Sequence, residues 1–258
     1  MWFQPSGFTN KKNLTNEEKQ ILFDIAIRTP IALSKVGETL SGQRFQETIP
    51  LEAFSKDQKT LQYSSKIYSC LKEFGSDKIN YGYHLIYAHI LNLISNKPSI
   101  LEIGLGSNDP NIISNMAQNY IPGASIKAFR KLFPNSIIDG ADIDQTISIE
   151  NSRVFHVDQT KPETFKSIIN GGEHYYDLII DDGMHSTDSN LFTLDYALRH
   201  ISANGFIVIE DILERHLLIW QIIINLMESS NFKGYLIKAK QTYVFICSSI
   251  NFRDSLLF

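Results

Sequence analysis

The feature that most constrains the fold is the unbroken apolar run Leu178 to Ile180, which leads directly into Asp181 and Asp182. A run without polar alternation is typical of a central parallel strand that helices cover on both faces. Ligands of open α/β sheets bind beyond the carboxyl ends of such strands. The two acids, together with His185, are therefore expected at a functional site.

A second apolar run, Phe206 to Ile209, also ends in two acids, Glu210 and Asp211. Acids can follow strands simply because they begin helices, where a negative charge suits the helix dipole. If the two strands are neighbours, however, four carboxylates and one imidazole converge on one edge of the sheet. Such a concentration of titratable groups is typical of a reactive site.

Alternating strand and helix patterns from residue 99 onward predict an α/β domain with a mostly parallel sheet. The expected strands are 99–104, 137–142, 154–157, the run at 178 and 206–209, followed by an antiparallel hairpin within 235–247. The expected helices are 126–133 with Ser125 as its cap, 162–169, 188–200 and 213–229. The last helix is the most apolar, but its charged and amide residues argue against a membrane span.

The N-terminal part carries weaker patterns. Apolar residues at helical spacing predict helices at 16–29, 61–74 and 85–94, and the polar stretch 41–60 is interpreted as a loop or flap. We therefore divide the chain into a helical, substrate-side extension, residues 1–75, and a cofactor-binding sheet domain, residues 76–258.

Composition limits the class of function. The 258 residues carry a net charge of −4, which argues against a general nucleic-acid binder with a basic face. Cys70 and Cys247 belong to no metal-binding motif, and two distant cysteines suit reduced thiols in a cytoplasmic protein. The N-terminus lacks the pattern of a signal peptide.

Glycines follow the first predicted strand within Leu101 to Gly106, where Gly104 and Gly106 allow a ligand to approach the backbone closely. The third glycine and the following helix of a pyrophosphate cradle are both missing. Glu102 lies inside the apolar strand and needs a partner, because an unpaired buried carboxylate is unfavourable.

Further polar residues follow the next two strands. Asp142, with Asp144 two residues later, is placed to accept the hydroxyl groups of a ribose. Asp158 and Gln159 are placed where an adenine amine could be read. An acidic nucleotide pocket without a phosphate cradle suits an adenosine that carries positive charge.

These features resemble the class I S-adenosylmethionine methyltransferases. Within residues 74–212 the resemblance narrows to the metal-dependent sugar O-methyltransferases, which include macrolide mycarose-type enzymes and relatives in bacterial surface-polysaccharide pathways. The stretches that carry it are Phe74–Lys78, Pro122–Ser125, Phe133–Asn135, Gly140–Asp144, Val157–Thr160, Ile180–His185 and Ile209–Ile212.

The resemblance implies a Rossmann-like sheet, S-adenosylmethionine as cofactor and a Mg²⁺ or Mn²⁺ ion. Carried over by motif, Asp182, Glu210 and Asp211 would bind the metal, and His185 would be the general base. Three carboxylates without a cysteine make an all-oxygen site, which suits Mg²⁺. Asp181 is assigned to the amino group of the cofactor or to contacts behind the site.

The expected substrate is a small sugar or nucleotide-linked sugar of a capsule, lipopolysaccharide or natural-product pathway, and a homo-oligomer is compatible with the sequence. Four residues could line the sugar pocket, since aromatic faces pack on sugar rings, although helix packing explains them equally well: Tyr81, Tyr83, His84 and Tyr87. The alternatives are O-methylation of a catechol-like diol, a nicotinamide-dependent oxidoreductase and a non-catalytic binding module.

Overall fold

The computed structural model describes residues 47–56, 58–112, 114–116, 120–172 and 174–252, together with residues 15, 28, 32, 35, 36 and 256. The helix predicted at 16–29 lies outside the described residues apart from Arg28, which is helical. None of the helices in the described part of the chain is both long enough and apolar enough to cross a bilayer.

Strands and helices alternate through most of the described chain. The strands are β1 (Ile49–Pro50), β2 (Ile100–Ile103), β3 (Ile138–Asp142), β4 (Val154–His156), β5 (Tyr176–Asp181), β6 (Ile201–Ile212), β7 (Lys233–Lys238) and β8 (Tyr243–Ser248). The α-helices are α1 (Gln58–Glu73), α2 (Lys78–Tyr81), α3 (Tyr83–Leu93), α4 (Ala124–Leu132), α5 (Lys166–Asn170), α6 (Thr187–His200) and α7 (Leu217–Met227). Short 3-10 helices cover Leu51–Ser55, Pro162–Phe165 and Glu214–His216.

The strands form one mixed sheet in the order β1-β7-β8-β6-β5-β2-β3-β4. The strands from β6 through β5, β2 and β3 to β4 are parallel, whereas β8 is antiparallel to both β6 and β7. The predicted mostly parallel sheet with a C-terminal antiparallel hairpin is confirmed. The chain reverses its direction of growth between β2 and β5, and ligands of open α/β sheets bind at such a switch point.

The central strands are buried on both faces because successive side chains point to opposite sides of a sheet. In β5, Leu178 and Ile180 pack in the cluster that contains residues of α1, α3 and α4, whereas Ile179 packs with residues of α5, α6 and α7. All three side chains are fully buried. The unbroken apolar run therefore reflects a three-layer arrangement with a helical layer on each face.

Residues 49–56 and 58–60 correct the prediction of a loop or flap at 41–60, of which residues 41–46 and 57 lie outside the described residues. Strand β1 pairs with β7, with Ile49 opposite Ile237. Leu51 and Phe54 of the following 3-10 helix are buried in the same cluster as the sheet core. A two-residue strand and a single helical turn are too short to produce a recognisable periodicity. The division of the chain at residue 75 stays a prediction.

The prediction of Ser125 as a helix cap is wrong. Helix α4 begins at Ala124, one residue before Ser125, and its N-cap is Gly123 in the left-handed conformation. The Ser125 hydroxyl instead donates a hydrogen bond to the buried carboxylate of Glu102. The other strands and helices predicted from residue 61 onward are present, and the largest difference is the extension of β6 to Ile201–Ile212.

Candidate active site

The acids that follow β5 and β6 meet at one edge of the sheet. The two strands pair directly, with Asp181 opposite Ile209, so the condition under which the acids would converge is met. Asp182, His185 and Asp211 offer ligand atoms that all lie within 4.8 Å of one another. His185 Nε2 lies 3.8 Å from Asp182 Oδ1 and 3.7 Å from Asp211 Oδ2.

The backbone at this edge is held in an unusual conformation. His185 and Asp211 have φ angles of 55° and 54°, in the left-handed region that favours glycine. At Asp211 the strand alternation is also interrupted, since the pairing of β6 with β8 shifts register between Ile209 and Ile212. The consecutive side chains of Glu210 and Asp211 therefore both reach helix α3, although neighbours on a regular strand point to opposite faces.

Lys78 is the buried cation of the site, with a side chain that is 2% exposed. Its Nζ lies 2.6 Å from Asp182 Oδ2 and 3.1 Å from Glu102 Oε1, and it also contacts the carboxylate of Glu210. Burial alone would lower the pKa of Lys78, but these three carboxylates raise it well above its usual value. The charged ammonium group therefore joins the ends of β2, β5 and β6.

Glu210, predicted as a metal ligand, is turned toward Lys78. Its side chain is 1% exposed, and its second oxygen accepts a hydrogen bond from the Tyr87 hydroxyl. Burial raises the pKa of Glu210, and Lys78 opposes this shift. The carboxylate oxygens that face His185 belong to Asp182 and Asp211, and the role of Glu210 as a ligand stays a prediction.

The prediction that Tyr83 lines a sugar pocket is corrected by its position. Its side chain is 1% exposed, and its hydroxyl donates a hydrogen bond of 2.6 Å to Asp211 Oδ1. Tyr81 stacks on Tyr83, and His84 packs edge-on against Tyr68. Tyr81 and His84 line neither of the two cavities at this edge of the sheet. Helix packing, the alternative that the sequence left open, accounts for these aromatic residues.

A cavity of about 300 Å³ lies beyond the carboxyl ends of β2 and β3. Its wall includes four of the predicted cofactor residues, Gly104, Asp142, Asp158 and Gln159. The Asp142 oxygens accept hydrogen bonds from the backbone N–H groups of Leu105, at 2.7 Å, and Asp144, at 2.8 Å. Each oxygen retains a lone pair, so Asp142 can still accept hydroxyl groups from a ligand.

Gly104 makes this cavity possible because it brings the end of β2 against the turn after β5. Its φ angle is 91°, and a Cβ atom at this position would lie 2.2 Å from the carbonyl oxygen of Asp182. Any side chain would therefore push apart the two strand ends at the switch point. The group that lies against Gly104 is the backbone after β5, and the approach of a ligand to Gly104 stays a prediction.

Three predicted cofactor residues, Glu102, Asp144 and Asp181, lie behind the cavity wall rather than in it. Asp181 is fully buried and accepts a hydrogen bond of 2.8 Å from Gln159 Nε2. Asp144 accepts one from the Ser107 hydroxyl. Asp181 and Asp144 thus hold residues that line the cavities, whereas Glu102 contacts Lys78 and Ser125, which do not. Direct cofactor contact by these three carboxylates stays a prediction.

A second cavity, of about 320 Å³, contains the acidic cluster. Its lining includes Asp182, His185 and Asp211, the predicted Gly106, and the residues Asp77 and Tyr120, for which the sequence analysis gave no role. The two cavities share six lining residues, Gly104, Ile112, Ser114, Asp142, Gly183 and Met184. A ligand in the first cavity would therefore present one end to the acids of the second.

The contacts that sequence reasoning missed are mainly those made by helices α2 and α3. Lys78 and Tyr87 are bonded to acids more than 100 positions away along the chain. One signal did exist for Lys78. The buried Glu102 requires a partner, and Lys78 is the cation of the Phe74–Lys78 stretch that carries the resemblance.

The residues present at the acidic edge fit a hard divalent cation. Asp182 and Asp211 each have one oxygen that faces the His185 imidazole, and the other nitrogen of this ring is buried without a hydrogen-bond partner among the described residues. Proteins usually hold Mg²⁺ through one or two carboxylates, and the ion keeps several waters. Asp182 and Asp211 would supply these carboxylates.

Comparison with known proteins finds one similar sequence and several similar folds. No family model matches the sequence. The L-olivosyl-oleandolide 3-O-methyltransferase of Streptomyces antibioticus is 33% identical over 115 residues, which are 43% of this chain and 27% of the relative. The chain thus matches about a quarter of the length of that sugar O-methyltransferase.

Solved structures of the MycE methyltransferase from the mycinamycin biosynthetic pathway are also similar. The complex with Mg and S-adenosylhomocysteine has a TM-score of 0.57 at 20% identity, and the match covers 71% of this chain and 54% of MycE. The complex that also contains mycinamycin VI has a TM-score of 0.55 at 18% identity and covers 92% of this chain and 64% of MycE. The chain therefore has the Rossmann-like fold of the class I methyltransferases, as its motifs predicted.

Proposed function

We propose that the chain is an S-adenosylmethionine-dependent O-methyltransferase that requires Mg²⁺ or Mn²⁺ and methylates a sugar hydroxyl. The observation that carries this proposal is the shared wall of the two cavities. The cavity lined by Asp142, Asp158 and Gln159 shares part of its wall with the cavity lined by Asp182, His185 and Asp211. This arrangement brings a methyl donor and an activated hydroxyl group to one point.

In the first cavity, Asp142 would accept the ribose hydroxyl groups of the cofactor. Asp158 and Gln159 would contact its adenine. Burial raises the pKa of Asp142, but hydrogen bonds from the backbone N–H groups of Asp144 and Leu105 act in the opposite direction. These N–H groups also fix the orientation of the carboxylate, so it is organised before the cofactor arrives.

In the second cavity, Asp182 and Asp211 would hold the divalent cation, with Glu210 as the third carboxylate that the sequence predicts. When bound, such a cation lowers the pKa of a hydroxyl group that it contacts. His185 would accept the hydroxyl proton on Nε2, which lies 3.8 Å and 3.7 Å from the two carboxylates.

The remaining step is a direct displacement. The cofactor would supply the methyl group: the substrate oxygen would form a bond to the methyl carbon while the carbon–sulfur bond breaks, which would leave S-adenosylhomocysteine. The proton lost by the hydroxyl group stays on His185 until it passes to solvent. General base catalysis of this kind typically contributes 10²–10⁴-fold.

The named relatives support a glycosylated small molecule as the acceptor, since their names refer to an olivosyl oleandolide and to mycinamycin. Among the described residues, the second cavity is lined by four aspartates, Asp77, Asp142, Asp182 and Asp211, and by no lysine or arginine. A neutral sugar ring suits this lining better than a phosphate group does. If the acceptor is a nucleotide-linked sugar, its phosphates would lie outside the cavity.

Calorimetry and a turnover assay test this function. S-adenosylhomocysteine should bind and NAD should not, which separates the proposal from a nicotinamide-dependent oxidoreductase. Methyl transfer to a panel of glycosides and nucleotide sugars should stop in EDTA and return with Mg²⁺ or Mn²⁺. Full turnover by protein shown to be metal-free, or transfer to catechols alone, would contradict the proposal.

A further inference from the structure

Helix α3 presents one hydroxyl group to each of the two consecutive acids at the end of β6. Tyr83 and Tyr87 are four residues apart and therefore lie on the same face of the helix. The Tyr83 hydroxyl donates to Asp211, and the Tyr87 hydroxyl donates to Glu210. Both tyrosine side chains are 1% exposed, so these bonds are shielded from water.

Two hydroxyl groups converge on a single oxygen of Asp211. Tyr83 Oη lies 2.6 Å from Asp211 Oδ1, and Thr242 Oγ1 lies 3.1 Å from the same atom. The two hydroxyl oxygens are 2.7 Å apart. The other carboxylate oxygen, Oδ2, accepts no hydrogen bond from the described residues and lies 3.7 Å from His185 Nε2.

These hydrogen bonds hold Asp211 in an unfavourable backbone conformation. Its φ angle of 54° is unfavourable for a residue with a side chain. Tyr83 Oη also accepts a hydrogen bond from the backbone N–H group of Asp211, and the oxygen and nitrogen are 3.4 Å apart. One tyrosine hydroxyl therefore holds both the backbone and the carboxylate of Asp211, which leaves Oδ2 directed toward the cavity.

We propose that Tyr83 is a positioning residue for the divalent cation, acting through Asp211 and assisted by Thr242. The inference rests on the proposed function, because it takes Asp211 as a ligand of the cation. Loss of a hydrogen-bond partner behind a metal ligand typically weakens metal binding by about 10–100-fold. Tyr83 therefore contributes to cation affinity without touching the cation or the substrate.

The test is the affinity of the full-length protein for Mn²⁺, measured by calorimetry and by electron paramagnetic resonance in the absence of substrate. Tyr83→Phe removes one oxygen and keeps the buried ring. It should weaken Mn²⁺ binding by about 10–100-fold and leave S-adenosylhomocysteine affinity unchanged, since Tyr83 does not line the cofactor cavity. Thr242→Val should cause a smaller loss, because its hydroxyl lies farther from Asp211 Oδ1.

Tyr176→Phe is the matched control. Tyr176 is also 1% exposed, and its hydroxyl donates a 2.9 Å hydrogen bond to Asp139 near the opposite edge of the sheet. This variant should lose stability and keep the Mn²⁺ affinity of the wild type. Unchanged Mn²⁺ affinity in folded Tyr83→Phe, or an equal loss in Tyr176→Phe, would overturn the inference alone. A wild-type protein that binds no Mn²⁺ would overturn the proposed function as well.

Discussion

Replacement of Lys78 by methionine tests whether the buried ion cluster holds the three strand ends together. The side chain of Lys78 is 2% exposed and contacts Glu102, Asp182 and Glu210, two of which are almost fully buried themselves. Removing one partner from a buried ion pair leaves an uncompensated charge and typically costs about 3–5 kcal/mol. Because a whole domain is stable by only about 5–15 kcal/mol, Lys78→Met should lose a large part of its unfolding free energy.

The assay is urea unfolding in EDTA, so that metal binding to the folded state does not add to the stability. The double variant Lys78→Met/Glu210→Gln should recover part of the loss, because the substitution removes one of the carboxylates left without a counter-charge. Lys131→Met is the control, since Lys131 forms an exposed ion pair with Glu73 and its loss should leave the unfolding curve near that of the wild type. A loss below about 1 kcal/mol in Lys78→Met, or a double variant less stable than the single one, would refute the reasoning.

Three further predictions concern the two cavities. His185→Ala should lose roughly 10²–10⁴-fold in turnover with near-normal cofactor binding, and His185→Gln should do no better; near-normal turnover of the folded protein would exclude the general-base role. Asp142→Ala should weaken S-adenosylhomocysteine binding about tenfold or more in calorimetry, because charge-assisted hydrogen bonds contribute about 1.5–3 kcal/mol. Gly104→Ala should lower the melting temperature and the cofactor affinity together, since its Cβ would meet the Asp182 carbonyl oxygen at 2.2 Å, and an unaffected variant would show that the strand ends can separate freely.

The sheet, and the acids that follow its strands, could be predicted from the sequence because both depend on local patterns. The run Leu178 to Ile180 is apolar at every position, which is the signature of a strand buried on two faces. Parallel strands place their carboxyl ends at one edge, so the acids after β5 and β6 had to meet there once the strands were neighbours. The motifs added the methyltransferase resemblance, which the fold comparison confirms.

The partners of these acids could not be predicted, because they come from helices outside the sheet. Tyr83 lies 128 positions before Asp211, and Tyr87 lies 123 positions before Glu210. Helical spacing shows that one face of α3 is apolar, but it does not show which strand end that face covers. The aromatic residues of α3 therefore suggested a sugar pocket. In the structure, the hydroxyl groups of Tyr83 and Tyr87 donate hydrogen bonds to carboxylates.

The directions of the Glu210 and Asp211 side chains could not be predicted from the sequence either. Regular alternation would send two consecutive strand residues to opposite faces, and the left-handed backbone of Asp211 prevents this. The residue type alone does not predict such a conformation. The identity of the acids was thus readable from the sequence, whereas the assignment of each carboxylate oxygen required the structure.

The left-handed backbone conformations of His185 and Asp211 lower the stability of the fold at two residues of the candidate site. Each costs the folded state about 1–2 kcal/mol that glycine at the same position would not. Glycine at position 211 would leave the buried Tyr83 hydroxyl without its carboxylate, whereas His185 Nδ1 has no hydrogen-bond partner among the described residues to lose. A library of variants selected only for heat resistance should therefore enrich glycine at position 185 and discard the imidazole. The most heat-resistant sequence for this fold and the most reactive one therefore differ at His185.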